Sequence, residues 1–211
     1  MSWFYYAGII FVVRPLLFLL TRYRVLGEGN VPKQGPLIIA ANHVTLVDPP
    51  LLSTSIRRRI VFMGKDDLFS HFVMGPMVKG WRAFPVRRGQ LDREALRRSD
   101  QALREGLALG IFPEAMRSTT GNLQQGYTGA ALIAMRFGCP ILPVGIAGAD
   151  RFKRMDFIFR RPRVIVNIGE PFTLPVSGGR LTKEQLAPAT DMIMARIAGL
   201  LPEDQRGHYG D

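Results

Sequence analysis

The stretch Leu37-Ile38-Ile39-Ala40-Ala41-Asn42-His43-Val44-Thr45-Leu46-Val47-Asp48-Pro49-Pro50 carries the first decision about this chain. Its opening five residues are apolar without alternation, as in a short strand buried on both faces. Asp48-Pro49 then reads as the start of a helix. Between them sit a histidine and an aspartate five residues apart. Imidazole, with an unperturbed pKa of about 6.5, accepts a proton near neutral pH. A carboxylate on its other ring nitrogen fixes the tautomer and stabilises the imidazolium. On a helix, residues five apart lie roughly 140° from each other around the axis. On a strand, an odd spacing sends them to opposite faces. The pair can meet only if the backbone turns tightly between them. A plainer reading competes: Asp48 as an N-cap and His43 as a hydrogen-bonded buried histidine. Taken alone, the pair favours that plainer reading, and the rest of the chain must decide.

With 211 residues, 47% apolar and 21% charged, the sequence describes one globular domain. The lone Cys139 excludes an intrachain disulfide and a cysteine-based metal site. His43, His71 and His208 show no metal-ligand spacing. The net charge of +11 comes largely from arginine clusters at 57–59, 87–88, 97–98 and 160–163, and such a surface attracts polyanions. A nucleic-acid partner is not expected, because the aromatics are not interleaved with the basic clusters as a stacking platform requires. A hydrolase that uses His43 to activate water is disfavoured by the lack of a G-x-S-x-G elbow and of a metal site.

Residues Trp3 to Leu20 are almost wholly apolar, interrupted by Arg14-Pro15. The run is just long enough to span a bilayer, but a central arginine and a proline argue against it. The expectation is two short helical pieces lying in one leaflet, with aromatics at the headgroup level. The alternative is a buried core helix. Should the segment span, Arg22 and Arg24 place the main domain on the cytoplasmic side. The boundaries expected are 1–24 for the membrane-associating segment, 25–205 for the main domain and 206–211 for a polar tail.

Farther along, short strands are expected at 59–63, 83–86, 110–112, 141–146 and 164–168. Helices are expected at 49–55, at 66–79 with a break at Gly75-Pro76, at 92–109, at 130–137 and at 182–201 with an interruption at Pro188. Alternating strands and helices predict an α/β domain with a mostly parallel central sheet flanked by helices. In such sheets sites gather beyond the carboxyl ends of the strands. His43, Arg88 and Glu114 each follow a predicted strand, which argues for one shared site.

Four motifs now stand in order. Asn42-His43-x4-Asp48 resembles the NHx4D signature of the glycerolipid acyltransferase family. Phe84-Pro85-Val86-Arg87-Arg88 resembles its second motif, Phe112-Pro113-Glu114-Ala115-Met116-Arg117-Ser118 its FPEGTRS motif, and Ile141-Leu142-Pro143-Val144 its proline-centred block. The resemblance covers about residues 30–170. It implies transfer of an acyl group from acyl-CoA or acyl-carrier protein to a free hydroxyl of a lysophospholipid. The leading acceptor is the sn-2 hydroxyl of lysophosphatidic acid, giving phosphatidic acid; other lysolipid or glycolipid acceptors are the alternative, and a non-catalytic basic membrane-binding domain is the reading from a different class. The resemblance makes His43 the general base and Asp48 its orienting partner. It makes Arg88, Glu114, Arg117, Asn42 and Ser118 substrate-binding positions, with the two arginines on the acceptor's phosphate. It implies no cofactor and no metal, and a membrane-associated enzyme. Ala115-Met116 stands where the family usually has Gly-Thr, and Tyr127-Thr128 precede Gly129 where many members carry lysine.

Overall fold

In the computed structural model, which describes residues 3–72, 74–80, 83–86, 92–153, 157–176, 179 and 181–210, the run Leu37–Ala41 is strand β2 and lies mid-sheet. Every residue of it is buried. Ile38 and Ala40 point into one core, Leu37, Ile39 and Ala41 into another. A strand with a core on each face has no position for a polar side chain, which explains its unbroken apolar run.

Around β2 the chain forms α1 (Trp3–Leu20), β1 (Arg22–Leu26), α2 (Asp48–Ser55), β3 (Ile60–Lys65), α3 (Asp67–Ser70) and α4 (Met74–Gly80). There follow β4 (Phe84–Val86), α5 (Arg93–Arg104), β5 (Ala108–Ile111), α6 (Gly129–Phe137), β6 (Ile141–Ala147), α7 (Phe157–Arg160), β7 (Arg163–Ile168) and α8 (Lys183–Ala198). The sheet order is β1-β7-β6-β2-β5-β3-β4. Only β6 and β7 run antiparallel; the other neighbours are parallel. Residues of α5, α6 and α8 fill one core, and residues of α1 and α2 the other. The adjacent strands β2 and β5 send their connections to opposite faces, through α2 and through α6. The space beyond their carboxyl ends is therefore the usual ligand position in such sheets.

Several local expectations change. α5 does not reach residue 109. It ends at Arg104 because Gly106 takes a left-handed φ of 70°, its N–H donating to Leu103 O and that of Leu107 to Ala102 O. β5 accordingly starts at Ala108. Arg22–Leu26, expected only as a basic flank, is an edge strand on β7, with Tyr23 buried and the arginines exposed. The N-terminal run is one continuous helix through Pro15 rather than two pieces. Among the described residues no helix is long and apolar enough to cross a membrane. α1 turns Ile10, Val13 and Leu17 toward the core and leaves Phe11, Val12, Leu16 and Leu19 exposed. The break in 66–79 falls at His71-Phe72, with Pro76 in the first turn of α4, where a missing N–H costs little. α8 runs through Pro188 from a capping box at Thr182 and Gln185.

Arg58 is not a solvated member of its basic run. Its guanidinium donates to Pro32 O, Gly35 O and Gly106 O, tying the loop before β2 to the end of α5. Replacing Arg58 by methionine, which keeps the stem, is expected to cost about 2–3 kcal/mol in a urea titration, because charged donors are removed from loop carbonyls. An unchanged midpoint would show that water serves those carbonyls as well.

Candidate active site

Beyond Ala41 the chain leaves the sheet as a turn, Asn42 to Val47, and re-enters regular structure at Asp48. Asp48 is fully buried, and its carboxylate does not cap its own helix. It looks back into the turn. Oδ2 accepts from Val44 N at 2.6 Å and Thr45 N at 2.7 Å, and it lies 2.8 Å from His43 Nδ1. Oδ1 accepts from Thr45 Oγ1 at 3.0 Å. A carboxylate only accepts, so Nδ1 carries the proton and Nε2 is left with its lone pair. Both conditions set by the spacing are met: the turn is tight, and the two side chains touch.

The ring is 13% exposed and stacks on Phe112, with centroids 4.1 Å apart and planes 19° from parallel. Phe112 in turn lies parallel to Phe62 of β3. One face of the imidazole is thus fixed by an aromatic tier, one edge by a carboxylate.

The third motif grips the His43 backbone from two sides. His43 N donates to Glu114 Oε1 at 2.6 Å, and Ser118 N donates to His43 O at 2.7 Å. Glu114 Oε2 accepts from Gln124 N at 2.8 Å. Glu114 is 1% exposed, so burial pushes its carboxyl up to about 7; the two backbone N–H groups hold it lower, and the nearby Asp48 charge raises it. To bring Glu114 and Ser118 onto one peptide, the chain turns through Ala115 at φ 55°, the left-handed region that costs a residue with a Cβ about 1 kcal/mol. That is a physical reason for glycine at this position.

The expected site residues thus divide. His43, Asp48, Glu114 and Ser118 come together. Glu114 acts on the His43 backbone. Ser118 uses its amide on His43 and its hydroxyl on Gly121 N. Asn42 pairs with both backbone groups of Ile146, donating to its O at 2.9 Å and accepting from its N at 2.7 Å, and so ties β2 to β6 where the strands end. Arg117 is exposed beside Ser118. Arg88 lies outside the described residues. The sequence reading passed over Thr45 and Phe112. A threonine inside the His-to-Asp turn is able to close such a turn with its hydroxyl; nothing local marks Phe112. A groove of about 760 Å³ between α1 and α2, walled by Ile10, Phe11, Phe18 and Ile56, contains none of the residues that hold His43.

This arrangement supplies one oriented, partly exposed imidazole just past the carboxyl end of β2. A family model described as acyltransferase matches residues 22–147, from β1 through β6 and so across both halves of the site. The chain belongs to the acyltransferase family. It is 29% identical over 179 residues to the 1-acyl-sn-glycerol-3-phosphate acyltransferase of Bacillus subtilis, covering 84% of this chain and 87% of that protein. The protein of the same name from Streptococcus pneumoniae is 30% identical over 148 residues, covering 69% of this chain and 53% of its own length. The one from Borreliella burgdorferi is 29% identical over 137 residues, covering 64% and 55%. This acyltransferase thus spans only a little over half the length of the last two relatives. Its fold is that of the solved 1-acyl-sn-glycerophosphate (LPA) acyltransferase PlsC from Thermotoga maritima, with a TM-score of 0.71 and 24% identity over 98% of this chain and 81% of that one.

Glu114 gives the site a pH signature. Its carboxyl titrates near 7 when folded against an ordinary value of 4.5, so the folded state holds the proton more tightly. Stability from this group is fully present below about pH 4.5 and is lost as pH rises through about 7. The unfolding free energy of the wild type minus that of Glu114→Gln is expected to fall by about 3 kcal/mol across that window. Parallel profiles for the two proteins would show that Glu114 is not desolvated.

Proposed function

We propose that this acyltransferase moves a fatty acyl group from acyl-CoA or acyl-carrier protein to the sn-2 hydroxyl of lysophosphatidic acid, forming phosphatidic acid. The observation that carries the reading is the contact of His43 Nδ1 with a buried carboxylate, which leaves the lone pair on Nε2. The shared name of the relatives supports the acceptor. In this reaction His43 Nε2 takes the hydroxyl proton as the oxygen attacks the thioester carbonyl. A C–O bond forms, the C–S bond breaks, and the leaving thiolate takes the proton back from the imidazolium. Asp48 stabilises that imidazolium and holds the ring. The acceptor hydroxyl is itself the nucleophile, so no serine or cysteine is acylated, and the donor is a substrate rather than a cofactor.

Arg88 and Arg117 are the proposed phosphate ligands, since a guanidinium fork matches phosphate oxygens. The exposed Met116 beside Arg117 supports a second reading, a lysolipid with a larger headgroup, because methionine replaces the usual threonine there. The enzyme is proposed to work on a membrane, with residues 1–24 as its docking segment, residues 25–205 as the catalytic domain and the site on the cytoplasmic side. The support is the outward row Phe11, Val12, Leu16 and Leu19, joined by Phe159 on α7, which packs against α1.

With purified enzyme, acyl-CoA and lysophosphatidic acid, phosphatidic acid should form, and His43→Ala should lower turnover by about 10²–10⁴-fold. Equal turnover in that variant would refute the base. A panel of lysolipid acceptors decides between the two readings, with a preference for glycerol or sugar headgroups over bare phosphate favouring the second. Flotation with vesicles holding anionic phospholipid should also weaken on exchanging Phe11, Leu16 and Leu19 for serine; retention equal to the wild type would remove α1 as the docking face.

A further inference from the structure

The loop that steadies Glu114 is itself held by the end of the chain. Residues 202–210 form two short 3-10 turns that lie against it. Leu123 N donates to Gln205 O at 2.9 Å, and Gly126 N donates to Tyr209 Oη at 3.3 Å. Two neighbouring amides face the other way. Gln124 N donates to Glu114 Oε2, and Tyr127 N donates to Pro113 O at 2.8 Å. The strap 123–127 is therefore stitched on one side to the C-terminal turns and on the other to the third motif.

The fit leaves no slack. A Cβ on Gly207, which sits at φ 54°, would lie 2.1 Å from Leu123 O. A Cβ on Gly126 would lie 2.6 Å from Met194 Cγ on α8. The strap is wedged between α8 and the last turns, and the Tyr209 phenol packs edge-on to His208. Nothing in a polar tail requires such contacts, yet they bear on the one carboxylate that grips the His43 amide.

We propose that Tyr209 is a positioning residue for His43, acting through Gly126, Gln124 and Glu114. It touches no substrate; it fixes the strap whose amide steadies the Glu114 carboxylate, and so sets the His43 peptide and ring. This rests on the reading of His43 as the base.

The test combines kinetics with hydrogen exchange on the full chain. Tyr209→Phe keeps the ring and removes the oxygen that accepts from Gly126 N and also bonds the Asp191 side chain on α8. Loss of one hydrogen bond's worth of positioning predicts a drop in kcat of about 3–10-fold, with both KM values within about twofold of the wild type. In a Glu114→Gln background the same change should add no further loss, because the link it acts through is already altered. Amides of 123–127 and 43–45 should exchange faster in Tyr209→Phe, while those of β3 and α5 keep their protection. An additive loss in the double variant, a rise in KM with kcat unchanged, or faster exchange confined to 205–210 would each overturn the proposal. Should the wild type fail to acylate lysophosphatidic acid, the proposed acceptor falls, and the exchange pattern still decides whether Tyr209 is coupled to His43.

Discussion

A carboxylate removed entirely from water must be answered by donors, and the turn between β2 and α2 is shaped by that requirement. Asp48 collects two backbone amides, a threonine hydroxyl and the imidazole Nδ1. Unpaired, such a charge would cost several kcal/mol. The amides of Val44 and Thr45 can converge on one oxygen only if the backbone coils around it. The same coil carries His43 back over the helix start. The dyad and the loop are therefore one object: the loop exists because the charge is buried, and the charge fixes which imidazole nitrogen is free. The plainer reading of Asp48 as an N-cap fails for this reason, since a capping carboxylate would face its own helix amides.

The centre of the fold was legible because it is written locally. Leu37 to Ala41 is apolar at every position, and only a strand with a core on each face demands that. The Gly138 stop of α6 and the Thr182 start of α8 also lie in single residues with a strong backbone or capping preference. Where a local mark was passed over, the boundary slipped. Gly106 ends α5 by its left-handed turn, whereas the expected helix at 92–109 ran through it into β5. Arg22 to Leu26 does alternate, but its basic residues drew the reading toward a membrane flank, whereas its partner is a strand some 140 residues away in the chain.

The site was half legible for a related reason. His43 and Asp48 are five residues apart, so their meeting is a statement about one turn. The roles of Asn42 and Glu114 are long-range. Asn42 completes a ladder with Ile146, and Glu114 serves the amide of His43. A side chain bonded to a distant backbone group leaves no pattern in spacing, because every residue offers the same N–H and C=O. Polar residues inside a motif thus look like substrate ligands when they are in part its framework. The last turns of the chain are hidden in the same way: Tyr209 and Gly207 look like solvated tail until the 123–127 strap is placed against them.

The third motif shows how these constraints trade against one another. Ala115 holds a left-handed φ without being glycine, at a cost of about 1 kcal/mol. Glu114 is buried against its preference for ionisation. Together they deliver a carboxylate to the N–H of His43 and the Ser118 amide to its carbonyl, on opposite sides of one peptide. A base that must be aimed at the moment of proton transfer gains about tenfold in rate for each 1.4 kcal/mol of reorganisation avoided. In the proposed reaction, strain of about 1 kcal/mol in the turn is offset by sparing His43 a comparable adjustment in each turnover. Stability and the aim that the proposed reaction asks of His43 are thus in tension at Ala115 and Glu114.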